Sequence, residues 1–383
     1  MHVLIIPSER YLPTECPLEG IFQARLVAAL QNAGHQTGVI SPEIRCDPRV
    51  TFGLKILNIS SNIPVLVFIG PNIFLITKAT LLFAQFWVGL GNLLIKKYIE
   101  LYGRPDIIHA HNAAWAGLLA ASIKTKWKIP FVLTEHSSAY GRQNIPDYKI
   151  KKIQKAFKNA DARIVVSPSL GADLIKTLGH VVEPYFCIPN QLDQRFNQKR
   201  IVEKSKFFRV LTIGELSYNK GQAILLRAFA LAFRDSDAQL RLCGEGRIKA
   251  DLLSLADRLG IRQQVVFLNW LEGKDILDEI ARCDVYVQPS LYETFGVTLI
   301  EAMSQGKPVI ASRCGGPESF VNKMNGILVA KGDHEALKHA LITVKNQISE
   351  YDGDKIRQSC FEKFSETPVV NQILGVYRDI LMT

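Results

Sequence analysis

The chain has no CxxC pair, and no two of its seven cysteines stand closer together than Cys16 and Cys46. Neither a zinc knuckle nor a thioredoxin-like site can be built locally from such spacing, and seven scattered, odd-numbered thiols read as reduced cysteines in a cytosolic protein. Charge is also modest: 21% of residues are charged against 48% hydrophobic, which excludes disorder and collagen-like repeats. The opening MHVLIIPSER carries no basic region before a long apolar run, so it predicts a first strand, Val3 to Ile6, and not a secretion signal. No recognition-helix, zinc-finger or aromatic-basic RNA motif is present, so no nucleic-acid partner is expected despite a net charge of +10.

That charge is unevenly spread. Met1 to Asn190 holds 20 basic and 12 acidic residues, a net of +8, whereas the remainder holds 26 and 24, a net of +2. The first half is therefore the half expected to face an anionic membrane surface or a phosphorylated substrate. Both halves alternate short apolar strands with amphipathic helices. VLII, TGVI, DIIHAH, FVLTEH and ARIVVS punctuate the first; FRVLTIG, QLRLCG, VVFLNW, VYVQPS and PVIAS punctuate the second. At 383 residues this double series predicts an α/β protein of two Rossmann-like domains with a cleft between them, 1–190 and 191–365, joined by the polar stretch Asn190 to Lys206.

Ile56 to Ile95 departs from the alternation, since Lys78 is its only charged residue. About 20 apolar residues suffice to span a bilayer, but Pro64 and Gly70-Pro71-Asn72 interrupt the run. A buried helix of the first domain and an apolar surface meeting lipid or partner stand as the other two readings.

The richest stretch is PSLYETFGVTLIEAMSQGKPVIASRCGG, Pro289 to Gly316. A strand ends near Pro289, a loop carries Glu293, and a helix starts around Gly296. Free amides of Phe295, Gly296, Val297 and Thr298, with the helix dipole, would form an anion site suited to a diphosphate. Glu301, inside that helix, would reach a ribose hydroxyl pair, and Glu293 would face whatever lies beyond the phosphates. In TIGELSYNKGQAIL, Gly214 ends a strand and Lys220 precedes a helix, where a lysine would stabilise a leaving diphosphate.

Glu293 and Glu301 match the E-x7-E signature of retaining GT-B glycosyltransferases, and the surrounding ETFGVTLIEAMSQGKPVIAS…GG resembles glycosyltransferase family 4 (glycosyl transferases group 1). The resemblance extends to PLEGIFQARLVAALQNAGHQTGVIS, IIHAHNAAWAG, VLTEHSSAY, IPNQLDQRF, TIGELSYNKG and GILVAKGDHEAL. It implies a GT-B fold whose final helix, about Thr367 to Met382 within 366–383, crosses back to the first domain. It implies an acceptor-binding first domain and a nucleotide-sugar-binding second. His136 would line the sugar pocket and join Glu293 and Lys220 in catalysis. Gly20 would admit the diphosphate at the first loop, although Glu19 stands where a second glycine is common. Glu215 departs further, occupying the position where the family typically has an arginine phosphate clamp.

His109 and His111 alternate on one strand and point the same way, but no third zinc ligand is evident. Asp235-Ser-Asp237 and Asp352-Gly-Asp354 spell DxD, yet both sit in polar turns where capping explains them. The expectation is thus a retaining, metal-independent glycosyltransferase without a cofactor. It would move a sugar from a nucleotide-sugar donor to a saccharide or lipid-linked saccharide, through front-face transfer with no protein nucleophile. A cytoplasmic location is expected, and the Lys149, Lys151, Lys152, Lys155 and Lys158 cluster reads either as a surface that brings the protein to the inner membrane face or as an ordinary solvated basic face. A nucleotide-sugar epimerase of the same fold and a non-catalytic sugar-nucleotide-binding homologue are the rival readings.

Overall fold

The computed structural model describes residues 1–9, 11, 20–45, 53–59, 63–71, 80–143, 145–203, 205–271 and 273–382. Cys16, Glu19, Cys46, Phe74 and Lys78 lie outside them. The chain divides into two compact units, one formed by Met1–Gln191 with Val369–Thr383, the other by Leu192–Pro368.

Unit 1 begins with β1 (His2–Ile6), every residue of which is buried, so it reads as a continuous apolar run because both faces of a central parallel strand are covered. Then come α1 (Ile21–Asn32), β2 (Gln36–Arg45), β3 (Gly53–Ile59), β4 (Ile63–Pro71) and α2 (Thr80–Tyr102). They are followed by β5 (Ile107–His111), α3 (Leu118–Trp127), β6 (Phe131–Glu135), α4 (Asp147–Asn159), β7 (Ala162–Val165), α5 (Pro168–Leu178) and β8 (Phe186–Cys187). The sheet order is β3-β4-β2-β1-β5-β6-β7-β8, parallel except for β3 against β4. β1 pairs with β2 only as far as Val39, and β4 takes over from Val39 to Arg45, which leaves Pro42 beside a single ladder.

The apolar stretch from Ile56 resolves into three elements and not one buried helix. Leu54 and Ile56 on the edge strand β3 are exposed, β4 packs inside, and α2 lies over β2 and β4. Among the described residues no helix is long and apolar enough to cross a membrane.

Unit 2 repeats the alternation: β9 (Arg209–Ile213), α6 (Gln222–Phe233), β10 (Gln239–Cys243), α7 (Lys249–Arg258), β11 (Val265–Leu268), α8 (Gly273–Arg282), β12 (Val285–Gln288) and α9 (Val297–Ser304). β13 (Val309–Arg313), β14 (Gly326–Ala330), α10 (His334–Asn346), α11 (Gly353–Phe364) and α12 (Glu366–Met382) complete it. Its six strands run parallel in the order β11-β10-β9-β12-β13-β14. Its core gathers Leu225, Phe229, Leu240, Val287, Ile310 and Leu341. The predicted class, two parallel-sheet α/β units, is what the chain adopts.

α12 belongs to both descriptions. It starts on unit 2, and from Val369 its apolar face (Val370, Ile373, Leu374, Tyr377) enters the core that Val3, Ile5, Val39, Val65 and Ile164 build in unit 1. The DxD stretches take structural roles: Asp352 caps α11 by accepting from the amides of Asp354 and Lys355, and Asp235 lies in the turn before β10.

Candidate active site

The residues singled out in the second half converge at the carboxyl ends of β9 and β12, where open α/β sheets place ligands. β9 runs into Gly214; the chain then makes a one-turn 3-10 segment, Tyr218–Lys220, before α6 begins after Gly221. Gly221 adopts φ 68°, and a Cβ there would lie 2.0 Å from the Pro289 carbonyl oxygen, so only glycine lets the two loops touch. The loops are also tied by the Leu291 amide donating to Asn219 O at 2.8 Å and by Asn219 Nδ2 donating to Tyr292 O at 3.1 Å.

This junction brings Lys220 onto Glu293. Lys220 Nζ sits 2.5 Å from Glu293 Oε1, which also accepts from Ser290 Oγ at 3.0 Å. Both side chains are mostly buried, so the pair is shielded from bulk solvent. The backbone of Glu293 is fixed from the other side: its amide donates to Cys314 O at 3.0 Å, and its carbonyl accepts from Gly316 N at 2.8 Å. Just beyond, Phe295 is 2% exposed and packs on Phe320 and Phe364, which anchors the start of α9.

Gly296 takes φ 101° as the N-cap residue, with no side-chain cap. The helix dipole and the amides of Val297 and Thr298 at the first turn thus follow closely after Glu293 along the chain. Glu301 lies one turn in, largely buried. Glu215 is exposed, and its backbone oxygen accepts from Gln222 Nε2. Sequence reading did not single out Ser290, Asn219 or the Gly315-Gly316 pair. Only the glycine doublet carried a signal, as part of the long motif.

The other two candidates belong to unit 1 and meet through a residue the sequence did not flag. Gly20, at φ 68°, is the N-cap of α1, and Phe22 one turn-start later stacks on His136 with ring centroids 5.5 Å apart and planes 6° from parallel. His136 stacks on His111, and His111 on His109, whose Nδ1 lies 2.5 Å from the Tyr377 hydroxyl of α12. Thr134 Oγ1 meets the other nitrogen of His109 at 2.6 Å, and His111 Nδ1 faces His136 Nε2 at 3.0 Å. Burial lowers all three pKa values, to about 3 for His109 and about 4 for His136, so the column is neutral at pH 7. His111 Nε2 is buried without a hydrogen-bond partner among the described residues, Asn190 meets the His136 ring, and both histidines line a pocket shared with Arg25 and Gln191.

Glu135 organises this corner. Fully buried at the end of β6, it accepts from the amides of Ala113, His136 and Ser137 and from the Tyr140 hydroxyl. Burial raises its pKa, and these four donors oppose the rise. Asn112, at φ 68°, opens a six-residue π-helix, Asn112–Gly117, a rare turn that concentrates at functional sites. Among the described residues no three His, Cys, Asp or Glu side chains converge to hold a metal ion.

Two family models cover most of the chain: Glycosyltransferase Family 4 matches residues 21–195, and Glycosyl transferases group 1 matches residues 193–352. The chain belongs to the family 4 glycosyltransferases, enzymes of the EC 2.4 class. It is 27% identical over 315 residues to an uncharacterized glycosyltransferase of Methanocaldococcus jannaschii, covering 76% of this chain and 77% of that one. Among solved structures it resembles sucrose-phosphate synthase from Thermosynechococcus elongatus, with a TM-score of 0.78 at 20% identity over 100% of both chains. HepE of Anabaena in complex with UDP aligns at a TM-score of 0.75 and 20% identity, over 99% of this chain and 100% of that one, and HepE has also been solved with UDP-glucose. These likenesses establish the GT-B fold.

Proposed function

We propose that this glycosyltransferase moves a sugar from a nucleotide-sugar donor to a saccharide acceptor with retention at the anomeric carbon, and that it needs no metal. The observation that carries this reading is the Lys220–Glu293 pair beside the uncapped start of α9. On this reading unit 2 binds the donor. The diphosphate lies on the α9 amides with Lys220 against it, Glu301 takes the ribose hydroxyls, and Glu293 takes hydroxyls of the sugar. The bond from the anomeric carbon to the diphosphate oxygen breaks, and Lys220 and the helix dipole offset the negative charge that develops. The acceptor oxygen adds to the same face of that carbon, and its proton passes to a departing phosphate oxygen. Unit 1 binds the acceptor, with the unpartnered Nε2 of His111 suited to a sugar hydroxyl. HepE's complexes with UDP and UDP-glucose support a uridine nucleotide as the first donor to try.

The net charge of +8 on the first half and the lysines of α4 support work at an anionic membrane surface, and the five free cysteines among the described residues fit a reducing compartment. A screen of sugar nucleotides by thermal shift, then a transfer assay with and without chelator, tests the proposal. Product formed at full rate in chelator supports it. Activity that disappears and returns with magnesium or manganese counts against metal independence, and a free epimerised sugar nucleotide released without acceptor would favour an epimerase. Glu215, exposed in place of an arginine, favours a non-catalytic binder as the second reading; any turnover by pure protein removes it.

A further inference from the structure

Three depressions run end to end along α2 in unit 1. The widest, about 470 Å³, lies between α2, α3 and α4; Ala84, Val88 and Leu118 give it an apolar wall, and Lys126, Lys152 and Lys155 a cationic one. The second shares Ala84, Leu118 and Lys152 with the first and adds Lys149 and Trp115. The third shares Trp115 with the second and reaches the carboxyl ends of β1 and β2, where Glu9 and Glu43 meet Phe83 and Trp87.

The chemistry changes along the track. Among the described residues, four lysines line the first two depressions and two carboxylates line the third. Of the five lysines on α4, Lys149, Lys152 and Lys155 line the first two depressions, while Lys151 and Lys158 line none of the three. Trp115 is held at the junction by the π-helix. Ser8 Oγ accepts from the Ala116 amide at 3.0 Å and donates to His111 O at 2.7 Å, and the indole meets Phe83 edge-on at 5.3 Å.

Cations beside an apolar wall fit a phosphate that carries a hydrocarbon chain, and aromatics beside carboxylates fit a pyranose, whose C–H face stacks on rings while its hydroxyls donate to oxygens. We infer that the track binds the acceptor as a sugar joined through phosphate to a lipid. The first methylenes lie along Ala84, Val88 and Leu118, the phosphate lies among Lys149, Lys152 and Lys155, and the sugar lies against Trp115. This assignment rests on the glycosyltransferase reading and gives its acceptor a class.

Vesicle flotation with the full chain tests it, using phosphatidylcholine alone and phosphatidylcholine mixed with phosphatidic acid. Wild type should float only with the acidic lipid. At about 1 kcal/mol per lysine near an anionic lipid, the K152Q/K155Q pair should lose roughly 30-fold in affinity. The K151Q/K158Q pair, identical in net charge, should lose several-fold less, and V88W should weaken binding without any change of charge. Equal losses from the two lysine pairs, or no binding by wild type, overturn the site. Full competition by inorganic phosphate at matched concentration would overturn the lipid and leave a soluble phosphate ligand. Thermal shift with the donor nucleotide is read in parallel. If it persists while the lysine pairs behave alike, this inference alone fails. If it is absent while the pairs differ, the transferase reading fails and the lipid site stands.

Discussion

Lys220 and Glu293 touch because Gly221 allows it. Ala at 221 would hold an L side chain at φ 68° and press its Cβ on the Pro289 carbonyl, so G221A should cost at least about 1–3 kcal/mol of folding stability and shift Lys220 off Glu293. A lowered Tm together with a fall in kcat would check both effects. K220A removes a preorganised cation and should cost about 3–4 kcal/mol of transition-state stabilisation, by analogy with one oxyanion-hole donor, read as a drop in kcat with donor binding less affected. E301A should weaken the nucleotide itself, and E293A should leave free nucleotide bound but cut turnover. Wild-type transfer rates in both would remove the donor-site assignment. The histidine column gives a pH dependence. A buried histidine with a depressed pKa binds fewer protons folded than unfolded between the two values. The stability contributed by His109, His111 and His136 is therefore complete above about pH 6.5 and declines as pH falls toward about 4. Thermal unfolding across that window should show Tm falling steadily on the acid side, and a flat profile would contradict their burial as neutral groups.

Elements differ in how openly the sequence declares them. The loop and helix from Glu293 to Ser304 were readable because glycine, free amides and carboxylates are local signals, and the helix start at Val297 lies where Gly296 put it. Residues 56–95 were not. A strand buried on both faces, such as β4, has no two-residue alternation, so IPVLVFIG has the composition of a buried helix and periodicity cannot separate them. Pro64 and Gly70, read as interruptions of a span, lie in strand β4, so no spanning helix runs through them. The π-helix was invisible because its extra residue leaves the apolar spacing of Ala113, Ala116 and Leu119 looking helical. Glu135 stood in plain view in VLTEH, and three of its donors, His136, Ser137 and Tyr140, follow it directly, but the fourth, the Ala113 amide, is brought to it only by the fold. Tyr377 was equally hidden, since its partner His109 precedes it by 268 residues. Y377F leaves His109 Nδ1 buried and unpaired, which should cost about 1–3 kcal/mol, measurable as a lower midpoint in chemical denaturation with an unchanged slope.

The alternation of strands and helices made the two-unit architecture legible, because each short apolar run flanked by amphipathic helices can bury itself only in a parallel sheet. Overall charge was legible as well, but not which of the five lysines of α4 line the depressions, since that depends on packing against α2 and α3. The core of unit 1 is completed by Val369, Val370, Ile373, Leu374 and Tyr377, residues that follow the whole of unit 2 along the chain. On the ribosome this sets an order of events. The segment that emerges second can close its own interior as soon as α11 is out, whereas the one that emerges first waits, with an unfilled groove beside β1 and β2, until α12 clears the exit tunnel. Chaperones that hold exposed apolar surface should therefore dwell on nascent unit 1 throughout the synthesis of unit 2, and release should follow the emergence of residues 369–382 from the tunnel.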